Sequence, residues 1–242
     1  MIIEIGDATY YYEIRGEGPP VLLLHGFTGT SATWSQLVKA LEDQFQFILL
    51  DLPGHGQTTM KTPRTMEMCC QDLAQIIKKL HLPKVHLLGY SMGGRTALSF
   101  AMLYPNLVQS LILESASPGL ASEIERMKRV KHDEDLARRL EQNGLEAFVD
   151  DWENIPLFAT QKSLPLIVQE QIRRERLSQT IEGLSASLKY MGTGAQPHWW
   201  DDLHRLTCSV LLIAGQEDQK FVQLNQRMKD LFQKARLEIV SG

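Results

Sequence analysis

A serine with glycine two residues to either side follows directly on an apolar run, in Val85-His86-Leu87-Leu88-Gly89-Tyr90-Ser91-Met92-Gly93-Gly94. A hydroxyl is a poor nucleophile or base until a neighbouring group takes its proton. A strand that turns abruptly into a helix presents such a hydroxyl at the sheet edge. The crowding of that turn leaves room only for hydrogen two positions before and after it. Gly89 and Gly93 occupy those positions, and Arg95-Thr96-Ala97-Leu98-Ser99-Phe100-Ala101 continues in a helical pattern. Ser91 is therefore read as the reactive group of a nucleophile elbow.

An activated serine needs a base, and the base needs an acid to orient it. In elbow proteins the acid follows a later strand, and Gly215-Gln216-Glu217-Asp218 follows the apolar run Val210 to Ala214. Asp218 is the expected acid, with Glu217 the adjacent alternative. Charge developing on a substrate oxygen needs donors fixed in advance. One is expected from the backbone N–H of Met92. The other should come from the loop His25-Gly26-Phe27-Thr28-Gly29, where the Phe27 N–H is the expected donor. His25 then shapes the loop rather than acting as base, and His55 is poorly placed in chain order for that role.

The base itself is the open point. Elbow enzymes run serine, acid, histidine along the chain, and no histidine follows Asp218. Two explanations compete: a polypeptide that continues past Gly242, or one that has lost its base. The first is preferred. The His loop and a final covering helix are expected beyond Gly242, and losing that helix would bare apolar sheet surface.

These groups must be held by a scaffold, and the chain reads as α/β. Val21 to Leu24 and Phe47 to Leu50 are continuous apolar runs, which suit parallel strands buried on both faces. Ile2 to Ile5 and Tyr10 to Ile14 read as an initial antiparallel pair. Ser31 to Leu41 has helical spacing, with Trp34, Leu37, Val38 and Leu41 on one face. Met66 to Leu80 is a further helix, stopped by Pro83. Val85 to Leu88 and Leu107 to Leu113 are strands around the elbow helix. Alternation of this kind predicts a mostly parallel sheet with helices on both faces.

From about 120 to 205 the pattern holds no strand, only charged helical segments: 124–142, 145–152, 164–177 and 181–191. This reads as an all-helical cap inserted after the sixth strand. The expected domains are a core of residues 1–116 and 206–242 and a cap of residues 117–205. The rhythm resumes at Val210 to Gly215, with a helix from about Phe221 to Phe232 and a strand from Leu237 to Val240.

With 29 acidic against 25 basic residues and a net charge of -4, the chain shows no footprint for nucleic acid. The start, Met1-Ile2-Ile3-Glu4-Ile5-Gly6-Asp7, lacks the basic and continuously apolar character of a signal peptide. No stretch approaches the roughly 18 apolar residues of a membrane helix. Cys69, Cys70 and Cys208 lack metal-ligand spacing and are read as small apolar residues of a reducing compartment. The expectation is a cytoplasmic protein without membrane or nucleic-acid partners, a monomer or weak homo-oligomer.

The elbow, oxyanion loop, acid and helical insertion together resemble the α/β-hydrolase superfamily. Within it the chain resembles the 2-succinyl-6-hydroxy-2,4-cyclohexadiene-1-carboxylate synthases of menaquinone (vitamin K2) biosynthesis, particularly their Gram-positive forms. The stretches that carry this are Asp51 to Gly56, Gly89 to Arg95, Glu114 to Gly119, Asp151 to Phe158 and Met191 to Pro197. The first is widely shared across the superfamily; Tyr90 with Arg95, the Trp152 segment and Gly192-Thr193-Gly194 are more specific.

The resemblance implies a lyase that removes pyruvate from a cyclohexene bearing three carboxylates, with no metal or cofactor. It implies a triad of Ser91, Asp218 and a histidine beyond Gly242, with Tyr90 beside the substrate and Trp152 in the pocket wall. Arginines that grip carboxylates are implied at Arg126 and Arg176, since planar guanidinium forks suit carboxylates. Without the resemblance, Arg126, Arg129, Arg173, Arg174 and Arg176 would each fit a solvated helix face. Two roles stay open for Arg95, substrate contact or bracing of the loops. Trp199 and Trp200 are expected to pack at the hinge between insertion and sheet. A serine hydrolase of the same fold, or a non-catalytic ligand-binding member, would share the elbow and loop.

Overall fold

The computed structural model describes residues 1–241. The chain runs β1 (Ile2–Ile5), β2 (Ala8–Arg15), β3 (Pro20–Leu24), α1 (Ser35–Leu41), β4 (Gln46–Leu50) and β5 (Thr59–Met60). It continues through α2 (Met66–Lys79), β6 (Val85–Tyr90), α3 (Met92–Leu103) and β7 (Val108–Glu114). The helical stretch follows, with α4 (Glu123–Trp152), α5 (Leu166–Leu177) and α6 (Ile181–Met191). The last elements are β8 (Ser209–Gly215), α7 (Gln219–Leu231) and β9 (Ala235–Val240). The strands form one sheet in the order β1-β2-β4-β3-β6-β7-β8-β9, with β5 paired to β2. Pairing is antiparallel from β1 to β4 and parallel from there to β9.

The apolar runs are explained by how each strand divides its side chains. Leu22, Leu24, Ile48 and Leu50 enter one core with residues of α2 and α3, while Val21, Leu23, Phe47 and Leu49 enter a second with Trp34 and Val38. Period-two alternation sends successive residues to opposite faces, so a strand covered on both sides must be apolar throughout. Each such side chain, fully buried, contributes about 1.5–3 kcal/mol. Cys69 and Cys70 are buried in the larger core, and Cys208 is half-buried against it.

Several boundaries differ from the sequence reading. Thr59–Met60 adds a two-residue strand that its length hides from any pattern, so the helical stretch follows the seventh strand rather than the sixth. The first turn of the helix read at Ser31 is 3₁₀ up to Trp34. The helices read at 124–142 and 145–152 meet at Gly144, whose φ of 84° and ψ of 169° break the helical backbone between them. Residues Pro156–Ser163 form a 3₁₀ segment that the sequence reading left unassigned. Among the described residues no helix is long and apolar enough to cross a membrane.

Candidate active site

Ser91 sits at the junction of β6 and α3 with φ 51° and ψ −108°, a strained backbone for a residue with a side chain. Its N–H donates to the Glu114 carbonyl at 2.8 Å, and its carbonyl accepts from the Arg95 N–H at 2.9 Å. The glycines are required by contact. A Cβ at Gly89 would lie 2.3 Å from the Gly93 carbonyl oxygen, and one at Gly93 would lie 1.9 Å from that of Leu24. The elbow thus closes only with hydrogen at both positions, as the spacing predicts.

The loop after β3 lies beside the serine. A Cβ on Gly26 would meet the Tyr90 ring at 2.8 Å and Ser91 Cβ at 3.6 Å. The Gly26 carbonyl faces His25 Nδ1 at 2.8 Å and also accepts from the Gly29 N–H at 3.0 Å. In a planar trans peptide the N–H points opposite to the C=O, so these bonds turn the Phe27 N–H away from His25. His25 Nε2 accepts from the Leu52 N–H at 2.9 Å, so Nδ1 carries the proton. Full burial lowers the His25 pKa to about 4 and that of His55 to about 3. Both rings are neutral and internal; His25 bonds backbone through both nitrogens and His55 through Nδ1 alone, which suits loop shaping. Met92 is the first residue of α3, where the Ser91 side chain makes no cap bond. Its N–H belongs to the turn of free amides and positive potential that opens a helix.

Asp218 lies past the end of β8 and caps α7, its Oδ1 accepting from the Phe221 N–H at 3.2 Å. Its charge acts on Tyr90, whose phenol is raised by burial first, then by the carboxylate of Glu114, while Arg176 opposes the shift. Tyr90, Glu114, Asp218 and Arg176 therefore share one electrostatic neighbourhood at the carboxyl ends of the parallel strands. Burial raises the Glu114 carboxyl as well. Glu217 is exposed. No described histidine hydrogen-bonds to Ser91 Oγ or to Asp218; the ring contacts of His25, His55 and His86 are with Gly26 and Leu52, Pro53, and Ser110.

Two buried arginines lie about this site, Arg176 from α5 and Arg95 from α3. Arg176, only 5% exposed, donates to Gln161 Oε1 at 2.9 Å and lies over the Phe158 ring at 4.7 Å. Its nearest carboxylate is Glu153 at 3.7 Å, whose other oxygen is already bonded by Arg173 at 2.7 Å. Burial lowers the Arg176 pKa. Arg95, one turn past Ser91, donates to the Met191 carbonyl at 3.0 Å and to Gln196 Oε1. Burial, then the like charge of Arg129, brings its pKa down to about 10. Arg95 pairs with no carboxylate among the described residues, and Arg176 makes only the long contact with Glu153. Arg126 is half-buried on α4 with no side-chain hydrogen bond among the described residues, and Arg129 one turn on is bonded to Asp133 at 2.8 Å. Of that pair, Arg129 is the one whose charge reaches Arg95.

Trp152 stands in an aromatic group, 5.4 Å from the Phe27 ring and 5.7 Å from Phe148, on which it stacks. Its Nε1 is buried without a partner. Gly192-Thr193-Gly194 has a packing reason, since a Cβ on Gly194 would lie 2.6 Å from the Val130 nitrogen of α4. Trp199 and Trp200 bond Ser99 Oγ and the Gly119 carbonyl, as hinge packing requires. Sequence reasoning missed Glu175, Gln179, Gln161 and Gln196; Gln196 alone carried a signal, inside the Met191 to Pro197 stretch.

A parallel sheet with a strained serine elbow at its carboxyl edge defines an α/β hydrolase fold, and the family model of that description matches residues 19–242. The chain is 43% identical, over 95% of its length and 86% of the relative's, to a Bacillus subtilis (strain 168) protein named provisionally as a 2-succinyl-6-hydroxy-2,4-cyclohexadiene-1-carboxylate synthase. A Photorhabdus laumondii protein that bears this synthase name outright is 31% identical, over 86% of this chain and 74% of its own. The solved structure of MenH from S. aureus superposes with a TM-score of 0.90 at 35% identity, covering 98% of this chain and 90% of that one. The chain belongs to this synthase family within the α/β hydrolase fold.

Proposed function

We propose that this protein is a carbon–oxygen lyase acting on 2-succinyl-5-enolpyruvyl-6-hydroxy-3-cyclohexene-1-carboxylate. It eliminates pyruvate to give 2-succinyl-6-hydroxy-2,4-cyclohexadiene-1-carboxylate for menaquinone biosynthesis. The observation that carries the reading is the pair of desolvated guanidiniums, Arg95 one turn past Ser91 and Arg176 on α5, whose hydrogen bonds go to neutral acceptors and of which only Arg176 reaches a carboxylate, Glu153 at 3.7 Å. A buried cation without a bonded anion is costly, and a substrate carboxylate relieves that cost. The substrate brings three. An ester hydrolase needs no such pair.

In this reading Ser91 removes a ring proton, its own proton having passed to a base that Asp218 orients. The electron pair of the broken C–H bond at C2 forms the C2–C3 double bond, the existing C3–C4 pair moves to C4–C5, and the C5–O bond to the enolpyruvyl group breaks. Pyruvate leaves as its enolate and takes up a proton. Charge that builds on the succinyl ketone oxygen in the transition state is held by the N–H groups of Phe27 and Met92. Tyr90 lies beside the ring, Trp152 walls the pocket with its free Nε1 donor, and Arg126 or Arg129 takes a further carboxylate. Three free thiols suit the cytoplasm, where the protein works as a monomer or weak homo-oligomer.

Pyruvate release, followed through a coupled dehydrogenase, tests the proposal. Release that disappears in Ser91→Ala is expected. Release that survives this change, or a protein that hydrolyses nitrophenyl esters but frees no pyruvate, would remove the lyase reading.

A further inference from the structure

Two side chains of the helical stretch gather the core loop between them. Glu175 Oε1 accepts from the Thr30 N–H at 2.7 Å, from Thr30 Oγ1 at 2.7 Å and from Thr33 Oγ1 at 2.8 Å. Gln179, four residues on, donates through Nε2 to the carbonyls of Thr28 at 3.2 Å and Gly29 at 3.3 Å. Its Oε1 accepts from the Gly56 N–H at 2.9 Å. Thr28 has φ 68°, in the left-handed region that a β-branched residue avoids unless its surroundings hold it there. Gln179 bonds the carbonyl of that strained residue. Between Glu175 and Gln179 in the chain stands Arg176, which turns into the site.

We propose that Glu175 and Gln179 are positioning residues that lock the Gly26–Ser31 loop to the helix end carrying Arg176, so that the carboxylate grip and the oxyanion donor are set together. The first half rests on the loop's contacts; the second rests on the lyase reading above. The physical logic is rigid coupling. Arg176 cannot move toward or away from the substrate without pulling on Thr28–Thr30, and the Phe27 N–H lies one residue before Thr28. A carboxylate drawn to Arg176 therefore also holds the donor in place, at a site where a misplacement of about 1 Å can cost about a hundredfold in rate.

Hydrogen exchange on the free protein reads the lock without any substrate. In Glu175→Ala the amides of Gly26–Ser31 are expected to exchange at least about tenfold faster, with Leu22–Leu24 unchanged. Glu175→Gln keeps an acceptor oxygen and should restore most of the protection. Should Glu175→Ala fail to fold, Thr33→Val removes one donor at an exposed position and should give a smaller rise in the same amides. In pyruvate release, Glu175→Ala is expected to lower kcat about 10- to 100-fold and to raise KM as well. Arg176→Ala should move chiefly KM, and Gln179→Ala should resemble Glu175→Ala more weakly. Unchanged loop exchange in Glu175→Ala (or in Thr33→Val, where that stands in) overturns the lock. A loosened loop with kcat intact overturns its catalytic half. A wild-type protein that frees no pyruvate sinks the lyase reading instead, and the exchange result still decides the lock.

Discussion

The sheet and its helical cover solve the problem of burial in opposite ways. Around the elbow, contacts are so close that glycine is dictated by steric exclusion, and the polar groups there bond backbone: His25 takes Gly26 and Leu52, and Asp51 takes the N–H groups of Ser31 and Gln57. In the stretch from 117 to 205, buried polar atoms are left without partners, among them Asp133 Oδ2, Trp152 Nε1 and Gln196 Nε2. Arg176 is buried there with only neutral or shared acceptors. One half is held by close backbone contact; the other keeps charged and polar groups buried with few partners. Native proteins satisfy nearly all buried polar groups; the sheet half leaves Trp34 Nε1, His55 Nε2 and Asn225 Oδ1 unbonded as well, so the contrast rests on the charged Arg176 and Asp133 of the helical stretch rather than on orphans alone.

The sharpest break of this contrast is a methyl group in the elbow. Gly93→Ala puts a Cβ 1.9 Å from the Leu24 carbonyl oxygen, backbone at the carboxyl end of β3 that is paired on both sides and cannot readily yield. A loss above about 3 kcal/mol is expected, beyond the usual range for overpacking, visible as a lower denaturation midpoint or as insoluble protein. A well-folded Gly93→Ala would mean that the rigid half is not rigid.

Acid comes next in size. His25 and His55 are held neutral by burial, their pKa values lowered from 6.5 to about 4 and about 3. The unfolded chain binds those protons first, so the stability they support is fully present above about pH 6.5. It is lost as pH falls toward 4 for His25 and toward 3 for His55. At about 1.4 kcal/mol per pH unit, each accounts for a loss of order 3 kcal/mol or somewhat more. Denaturant midpoints measured between pH 7 and 4 should fall steeply, and less steeply in His55→Asn. A flat profile would show that neither ring is held neutral.

What could be read beforehand divides along the same line. The elbow, the oxyanion loop and the strand order's raw material lie in short stretches with a period of two or 3.6, or in glycines at fixed offsets. Such signals are local and survive in a sequence. Glu175 reaches Thr30 across 145 residues and Gln179 reaches Thr28 across 151, and no pattern in either segment announces the other. The register of the cap arginines was equally hidden. Arg126 and Arg129 lie one turn apart on α4, and only packing shows that Arg129 is the one sensed by Arg95. Thr59–Met60 is too short to carry a period at all.

Arg176 sharpens the comparison by separating function from stability. Arg176→Ala should weaken substrate binding by about 2 kcal/mol or more, if a carboxylate pairs with it in the closed site. Stability should change little or even improve, since a desolvated cation without a bonded carboxylate is removed. Arg176→Lys should not recover the affinity, because an ammonium cannot present two parallel donors to one carboxylate. The measurement is KM beside a denaturation midpoint for each variant. A large stability loss with KM unchanged would return Arg176 to an ordinary structural role.

The smallest effect probes the joint inside the cap. Gly144, with φ 84° and ψ 169°, occupies a backbone region open essentially to glycine alone, yet a Cβ there would meet nothing within 4 Å. Gly144→Ala therefore costs conformational strain without a clash, about 1–3 kcal/mol. Part of that is relieved if the two halves of α4 join into a continuous helix. Such joining would swing the segment bearing Phe148 and Trp152 off the Phe27 ring, so KM should rise although residue 144 touches nothing in the site. A stable Gly144→Ala with unaltered KM would mean that the break sets only the path of the chain, and that Trp152 is placed by its packing on Phe27 and Phe148 alone.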